Sequence, residues 1–403
     1  MRKTNCLVIT LVLFIQLAAL GRDLPPATSN HHAPHGAVLS TSVFTSRPDD
    51  PTATYFIPGK FPITADGRTD VSDALQGAIR DIKTNHNFGI LFIPEGKYLI
   101  TKTIYIPTAI RLIGYGRKRP VFILGKSSPG FQSADPADKG QAKYMFWFTS
   151  SLPAFVAAPP APGVAGTQAP GSSAPASTGI VASGSSATGA PTSSVPDAGA
   201  STFYSAMSNI DIRIGEGNPA AVALRTHFAQ HSYISHVDIS IGNGKAGLFD
   251  VGNEMEDVRF FGGDYGIYTT KPSPGWPFMM VDTWFEGQRK AAIRTREAGL
   301  TIVRMTAHNV PTVVDIDSNY HEKLFMEDCR FDGVTGPAIR ISNEENSFVQ
   351  INLRNVACRN VPVLTISRVG NPIVTGTVVT SPIYNVRSFT AGLQMDNWSA
   401  DPK

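Results

Sequence analysis

Met207-Ser-Asn-Ile-Asp-Ile212 is the first of seven copies of one pattern in the second half of the chain. Each copy starts with an apolar residue, usually carries Asn or Asp at its third position, and is apolar at its sixth. Successive copies begin 27, 21, 25, 22, 24 and 27 residues apart. Their first residues, which we expect to form one interior column, are Met207, Ile234, Met255, Met280, Ile302, Met326 and Leu353.

A second apolar strand signal recurs with the same period, at Leu224, Leu248, Ile267, Ile293, Val314, Ile339 and Leu364. Two interleaved strand signals with one drifting period of ~20–27 residues predict stacked coils, that is, a β-solenoid. The drift indicates that loops of variable length join strands of constant length. Such loops are where a solenoid carries its binding chemistry.

Composition and the N-terminus place the chain among exported globular proteins. At 403 residues and 42% hydrophobic, it can bury a long core, and its net charge of +3 gives no reason to expect a nucleic-acid partner. A short basic head and an apolar stretch predict a signal peptide over residues 1–21 and a secreted or periplasmic protein. Residues 22–55 are expected to form an extended arm. We expect no later membrane span, no cofactor and no metal, and the oligomeric state stays open.

An amphipathic helix is predicted at the start of the solenoid, over residues 73–82. A helix there would cover the unpaired strand edges and core side chains of the first coil. Its apolar face consists of Ala74, Leu75, Ala78, Ile79 and Ile82.

Four pieces of sequence around this helix resemble the opening of the pectate-lyase-like, single-stranded right-handed β-helix superfamily. They are Asp66-Gly-x-Thr-Asp70, Ala74-Leu-Gln-x-Ala78, Ile93-Pro-x-Gly-x-Tyr98 and Leu112-Ile-Gly-x-Gly116. Within the superfamily, the chain is most similar to bacterial proteins related to glycoside hydrolase family 28 and to the N-terminal half of family 55 β-1,3-glucanases. The resemblance covers residues 61–368. It implies an all-β, right-handed parallel β-helix of about nine to eleven coils with an N-terminal capping α-helix.

One segment interrupts the coils. Residues 157–201 are almost entirely Ala, Gly, Ser, Thr and Pro, with no aromatic residue and Asp197 as the single charge. Such a segment cannot bury enough apolar surface to offset its ordering entropy, so we expect a disordered insertion in one β-helix domain over residues 56–403. A linker between two domains is disfavoured, because the sequence on both sides predicts strands of the same solenoid.

Asp257, Asp282 and Asp328 occupy the third position of the repeat and could be interpreted as a row of catalytic carboxylates. We reject that interpretation. The superfamily resemblance implies a turn at this position, where Asn or Asp side chains satisfy backbone amides of the neighbouring coil. We therefore expect backbone N–H groups to hold the oxygens of Asp257, Asp282 and Asp328. Cys329 and Cys358 should face the core, either as a disulfide or, as we favour, as two buried thiols.

The strand that follows in each coil offers a better candidate site. One outward position per coil carries a row of aromatic and charged side chains, which can stack on sugar rings or bind a carboxylate or sulfate. A plain solvated face is the alternative. The candidate substrate-binding residues are Arg225, Phe249, Tyr268, Arg294 and Arg340, together with Trp276 from a Pro-rich loop on the same edge.

Candidate catalytic carboxylates lie on the same strands. Glycoside hydrolysis needs two carboxyl groups, ~5–5.5 Å apart in retaining enzymes and ~6.5–9.5 Å apart in inverting ones. Asp315 or Asp317 with Glu344 on the next coil could meet either spacing. The leading hypothesis is a secreted glycoside hydrolase acting on an extracellular polysaccharide.

Departures from the resembling enzymes keep other functions open. The polygalacturonase motifs Asn-Thr-Asp, Gly-His-Gly and Arg-Ile-Lys are absent. Family 55 enzymes have a second β-helix with the catalytic acid, so this chain could correspond to the non-catalytic half or be a fragment. The alternatives are a non-catalytic carbohydrate-binding or structural solenoid, and a polysaccharide lyase in which Arg294 or Arg340 abstracts a proton.

Overall fold

The strands of this chain wind into a parallel β-helix of about ten turns with one short helix, in a computed structural model. The structure describes residues 41–156, 195–270, 277–342, 348–368 and 381–393. The predicted fold class is therefore confirmed. The predicted signal peptide lies outside the described residues, as does most of the predicted insertion.

Each coil contributes one strand to a nine-stranded parallel sheet. Its strands, in chain order, are β5 (Ile104–Pro107), β8 (Lys143–Thr149), β11 (Ala221–Arg225), β13 (Ala246–Phe249), β15 (Tyr265–Tyr268), β18 (Ala291–Thr295), β21 (Val314–Ile316), β24 (Pro337–Ile341) and β26 (Val363–Ser367).

The remaining strands form one eighteen-stranded sheet that bends at a corner into two rows. The second row contains β1 (Thr54–Tyr55), β3 (Gly89–Pro94), β6 (Ile110–Tyr115), β9 (Ala206–Ser208), β16 (Phe278–Val281), β19 (Leu300–Val303) and β22 (Lys323–Glu327). The third row contains β2 (Asp66–Asp70), β4 (Lys97–Ile100), β7 (Val121–Leu124), β10 (Asp211–Ile214), β17 (Trp284–Glu286), β20 (Thr306–His308) and β23 (Arg330–Asp332). Four long strands pass through both rows: β12 (Tyr233–Gly242), β14 (Asn253–Gly262), β25 (Gln350–Arg359) and β27 (Ile383–Gly392), which pairs antiparallel with β25.

The predicted interior column is confirmed. Met207 pairs in register with Ile234, and the pairing continues coil by coil through Met326 to Leu353. All seven side chains are at most 1% exposed. Their regular stacking shows that loops absorb the drift in repeat length, while the strands keep one register.

The predicted capping helix is α1 (Ser72–His86). It buries Leu75, Ala78, Ile79 and Ile82 against the first coils, as its apolar spacing predicts. Asn87 ends it with φ 63°, in the left-handed conformation that commonly closes a helix. The helix is four residues longer at its C-terminus than the apolar pattern indicates, because the apolar pattern does not mark the last, exposed turn.

All seven third-position residues are at the corner between the second and third rows and have φ between 47° and 57°. Asn and Asp tolerate this left-handed conformation better than most residues, which explains why they recur there. The expectation that backbone N–H groups hold the carboxylates is wrong. Side chains of adjacent coils hold them instead: Arg304 donates to Asp282 at 2.7 and 2.8 Å, and Asn355 donates to Asp328 at 2.5 Å.

Asp257 belongs to a larger network centred on Arg119, whose side chain is only 3% exposed. The Arg119 guanidinium lies 3.5 Å from Asp211, 3.3 Å from Asp238 and 3.3 Å from Asp257, three carboxylates on successive coils. Arg259 adds a two-point pair to Asp238 at 2.7 and 2.6 Å. Burial, together with the neighbouring Asp211, raises the pKa of Asp238 to about 6 despite both arginines.

Both cysteines face the core as predicted, and they are free thiols. In the part of the chain that the structure describes, no helix has the length and apolar character needed to cross a membrane.

Candidate functional site

The outward side of the nine-stranded sheet carries one residue per coil in strict register, which we call the outer column. Six successive strands pair these residues side by side: Arg225, Phe249, Tyr268, Arg294, Asp315 and Arg340. The predicted alternation therefore brings these six candidates together. On the next strand, Ile366 takes this place, since Arg340 pairs with Ile366, while Thr365 pairs with the core residue Ile339.

The first two residues of the outer column are not open to solvent. Arg225 is 3% exposed and Phe249 is fully buried. Arg225 donates to Asp138 at 2.7 Å and to Asp197 at 3.0 Å, and its guanidinium lies 4.3 Å from the ring centre of Trp147. Two segments that follow β7 and precede β9 therefore cover this end of the sheet. Arg225 holds these two segments against the sheet through its hydrogen bonds to Asp138 and Asp197. Strand alternation alone could not predict this role.

Tyr268 and Tyr265 are also largely buried, at 9% and 6% exposed, and the accessible part of the face begins at Arg294, whose side chain is 32% exposed. The Tyr268 ring lies 5.6 Å from that of Tyr265, and the Arg294 guanidinium lies 5.8 Å from the Tyr265 ring and 5.6 Å from the Tyr268 ring. Arg294 also donates to the Tyr265 hydroxyl at 3.0 Å. Sequence reasoning missed Tyr265 because it precedes the core residue Ile267 by two positions, where strict alternation predicts an inward side chain. The Tyr265 ring is nevertheless buried on the outward side of the sheet, because Arg294 covers it.

Asp317 is the best-held carboxylate on this face. Arg294 donates to it at 2.7 Å, and Arg296 donates to its other oxygen. Burial alone would raise the pKa of Asp317, but the two guanidinium hydrogen bonds outweigh burial and hold the pKa below its ordinary value. Asp317 is therefore an anion at neutral pH, suited to accepting a proton transiently or to fixing the two arginines, and poorly suited to donating one.

Asp315 and Arg340 occupy neighbouring positions of the outer column. Arg368 forms an ion pair with Asp315 and donates to the carbonyl of Ile316 at 2.9 Å. The Nε atom of Arg340 is buried and has no hydrogen-bond partner among the residues that the structure describes. Arg340 thus has a donor that a bound anionic group could satisfy.

Two predicted site residues, Trp276 and Glu344, lie outside the described residues. The candidate site thus consists of the guanidinium groups of Arg294, Arg296, Arg340 and Arg368 and the carboxylates of Asp315 and Asp317, with the largely buried rings of Tyr265 and Tyr268 packed beside Arg294. Four guanidinium groups against two carboxylates make the face positively charged. Within the described ranges, no three His, Cys, Asp or Glu side chains are grouped to hold a metal ion.

Comparisons with solved structures find other β-helix proteins at low identity. The Azotobacter vinelandii mannuronan C-5 epimerase AlgE6 A-module is 11% identical, over 77% of this chain and 74% of its own, with a TM-score of 0.41. The catalytic unit of a GH87 α-1,3-glucanase from Streptomyces thermodiastaticus is 10% identical, over 81% and 62%, with a TM-score of 0.38. PfbA, a surface adhesin of Streptococcus pneumoniae, is 9% identical, over 83% and 100%, with a TM-score of 0.39.

Sequence comparison is more specific for the first coils. No curated protein sequence matches the chain. Residues 60–152 match the family described as rhamnogalacturonase A/epimerase, pectate lyase-like. These residues contain the capping helix and the strands from β2 to β8. These residues also begin the continuous parallel β-helix, so the resemblance of the first coils to the pectate-lyase-like β-helix superfamily is confirmed.

Proposed function

We propose that this protein binds an extracellular polysaccharide along the accessible part of the outer column and cleaves its glycosidic bonds. The pectate-lyase-like β-helix is a fold of carbohydrate-active proteins. The observation that carries the proposal is the register of Tyr268, Arg294, Asp315 and Arg340 on adjacent strands. Strands ~4.8 Å apart present these groups as a straight track, which suits an extended chain of sugar rings.

The chemistry of the track supports binding most directly. Aromatic rings such as Tyr268 can pack on the apolar faces of sugars, and guanidinium groups can bind carboxylate or sulfate substituents in two-point fashion. Arg294 is held in position by Asp317 and Tyr265, so little side-chain entropy would be lost on binding.

Cleavage would need a proton donor and a second carboxylate. Asp317, which Arg294 and Arg296 keep ionised, fits the role of base or nucleophile. In this proposal Asp315 or Glu344 is the acid. Arg368 would have to move away from Asp315 before that residue could donate a proton, because an ion pair stabilises the charged form.

A non-catalytic polysaccharide-binding protein is the second candidate. Asp315 and Asp317 are each paired with arginine, which favours a binding face over an acid–base pair. A lyase with Arg294 as the base is less well supported. Burial would lower the pKa of Arg294, but its hydrogen bonds to Asp317 and Tyr265 outweigh burial and raise the pKa above its ordinary value. Arg340 remains the candidate base for a lyase.

The test is a screen of the secreted protein against β-glucans, pectin and alginate, with binding and product formation measured separately. Hydrolysis gives new reducing ends, lyase action gives products that absorb in the ultraviolet, and a binder gives neither. Tyr268→Ala and Trp276→Ala should weaken retention by ~1 kcal/mol or more each through lost stacking surface. Asp315→Asn should abolish turnover and keep binding if Asp315 is the acid.

Met279→Ala is the matched control, since this residue is 49% exposed on the second row, away from the outer column. Equal retention of wild type and Tyr268→Ala on every glycan that binds would refute the proposed face. Binding of a glycan without any product would support the second candidate, a non-catalytic polysaccharide-binding protein.

We also propose that residues 1–21 direct export and are removed. N-terminal sequencing of the secreted protein should then begin at Arg22. A mature protein that keeps Met1 would contradict this proposal.

A further inference from the structure

A fully buried carboxylate, that of Glu322, lies next to the candidate site and takes no part in the proposed chemistry. It stands in the turn between β21 and β22, and its two oxygens accept four hydrogen bonds. The backbone N–H groups of Gly299 and Lys323 donate to Oε1 at 2.8 and 2.9 Å. The N–H of Ala298 donates to Oε2 at 3.1 Å, and the Thr295 hydroxyl donates to the same oxygen. Glu322 therefore holds the loop that follows β18, because this loop and the end of the strand supply three of the four donors.

The coil architecture does not require a carboxylate at this place. Glu322 lies two residues before the core residue Leu324, and the equivalent residues of the two neighbouring coils are Ala298 and Val349. Both are buried and apolar. Burying a carboxylate instead is costly, and burial raises the pKa of Glu322 although its hydrogen bonds act in the opposite direction. A buried ionisable group where the neighbouring coils use apolar side chains indicates a role beyond packing.

The loop carries Arg296, one of the two arginines that hold Asp317. The other, Arg294, lies inside β18, where the pairing with the strands on both sides fixes its backbone. Arg296 comes directly after the strand ends at Thr295, and its guanidinium donates to Asp317 from there. The backbone at Arg296 therefore depends on the loop, whereas the backbone at Arg294 depends on the sheet.

The backbone of this loop departs from the strand conformation and is held from the next coil. Glu297 and Gly299 have φ 51° and 71°, in the left-handed region that a glutamate adopts only at a cost. Glu322 accepts from the two N–H groups at the end of the loop. In return, the Glu297 side chain accepts from the backbone N–H of His321 at 3.0 Å. The loops of two successive coils thus hold each other, and Arg296 lies in one of them.

We propose that Glu322 is a positioning residue of the candidate site, which fixes Arg296 against Asp317 through the loop of residues 295–299. The inference rests on the proposed function for its ligand and on the hydrogen bonds of Glu322 for its geometry. Without the carboxylate, the Arg296 guanidinium should lose its fixed place beside Asp317, while Arg294 keeps its own. A fixed guanidinium binds an anionic sugar substituent with less loss of side-chain entropy than a mobile one, so Glu322 supports the affinity of the site.

Labelling of the folded protein with phenylglyoxal tests this geometry without a ligand. The reagent modifies guanidinium groups, and peptide mass spectrometry with fragmentation gives separate rates for Arg294 and Arg296. Glu322→Gln keeps the size of the side chain but sets an Nε2 donor against a backbone N–H donor, whichever way the amide lies. We expect labelling of Arg296 to rise about threefold or more and labelling of Arg294 to change little. Thr295→Val removes only the hydroxyl donor and, as a milder second variant, should raise Arg296 labelling about twofold.

Val237→Ala is the matched control for lost stability, because Val237 is fully buried in β12, away from both loops. It should lower the melting temperature without changing the ratio of Arg296 to Arg294 labelling. A residue with a merely structural role would behave like this control. A ratio that neither Glu322→Gln nor Thr295→Val changes would therefore overturn the inference, whether or not a glycan binds.

Affinity electrophoresis on a glycan that retards the wild type tests the effect on binding. Glu322→Gln should weaken retention about threefold and add little to the effect of Arg296→Ala, because both changes act through one arginine. Unchanged retention of Glu322→Gln, or of Arg296→Ala, would contradict a positioning role in the site. If no glycan retards the wild type, the proposed function fails, and the labelling ratio alone decides whether Glu322 positions Arg296.

Discussion

Replacing Arg119 with Met removes the shared counter-ion of three carboxylates on successive coils. Arg119 is almost fully buried, and its guanidinium is within 3.5 Å of Asp211, Asp238 and Asp257. Methionine fills similar space without the charge, so the change leaves the carboxylates to repel one another. Arg259 still pairs with Asp238 in the variant.

The cost follows from burial. Removing one partner of a buried ion pair typically destabilises a protein by ~3–5 kcal/mol. The side chains of Asp211 and Asp238 are 17% and 14% exposed, and that of Asp257 is 38% exposed. Water and Arg259 therefore screen part of the repulsion, and we expect a loss of about 2–3 kcal/mol in the free energy of unfolding at pH 7.5.

The loss should depend on pH. The pKa of Asp238 in the folded protein, about 6, is above the ordinary value of 3.8, so this carboxyl favours folding when protonated and loses that contribution as pH rises from about 4 through 6. Without Arg119 its pKa rises further and the loss at neutral pH grows. At pH 5, where Asp238 is mostly protonated, the effect of the variant should be smaller by ~1 kcal/mol.

Urea unfolding at pH 5 and pH 7.5 measures both values. Arg304→Met is the matched control, because its pair with Asp282 also joins adjacent coils but is about half exposed, and it should cost under ~1 kcal/mol. Adding Asp238→Asn to Arg119→Met should recover part of the loss at pH 7.5. Equal destabilisation by the two arginine variants, or a loss that does not change with pH, would refute the reasoning.

Three further predictions concern the coils themselves. Asp328→Ala should lower the free energy of unfolding by ~1 kcal/mol because alanine is strained at φ 55°, whereas Asp328→Asn should be nearly neutral in the same urea titration. Gly114→Ala should cost ~2 kcal/mol or more by thermal unfolding, since a Cβ there would lie 2.0 Å from a carbonyl oxygen of the next coil. Cys329 and Cys358, whose pKa values burial raises to about 12 and about 11, should react with a thiol reagent only after unfolding in urea. Mass spectrometry that finds no labelling even then would instead indicate a disulfide.

The sequence predicts the coil architecture well because one periodic constraint governs it. Every turn must place an apolar residue inside, and the column from Met207 to Leu353 repeats that requirement seven times. The left-handed corners can also be predicted from the sequence, since this backbone conformation favours Asn and Asp. What holds their carboxylates could not be predicted, because the choice between a backbone amide and Arg304 depends on side-chain reach across coils.

The candidate site was only partly predictable, for a related reason. Register follows from periodicity, so Tyr268, Arg294 and Asp315 were correctly placed on adjacent strands. Exposure depends on segments far away in sequence, and the covering of Arg225 comes from Asp138 and Asp197, which no strand period brings together.

The hydrogen bonds at the base of the insertion have a consequence for protein engineering. Ser150 donates through its backbone to Pro196 at 2.9 Å, and Thr149 forms an isolated bridge with Asp197. Asp197 in turn accepts from Trp147 at 2.7 Å. The two ends of the insertion are therefore held side by side by these contacts. Because the ends are fixed, the entropy cost of closing the loop between them grows only slowly with its length. This insertion point is therefore a suitable place to graft a foreign peptide or reporter domain without disturbing the neighbouring coils.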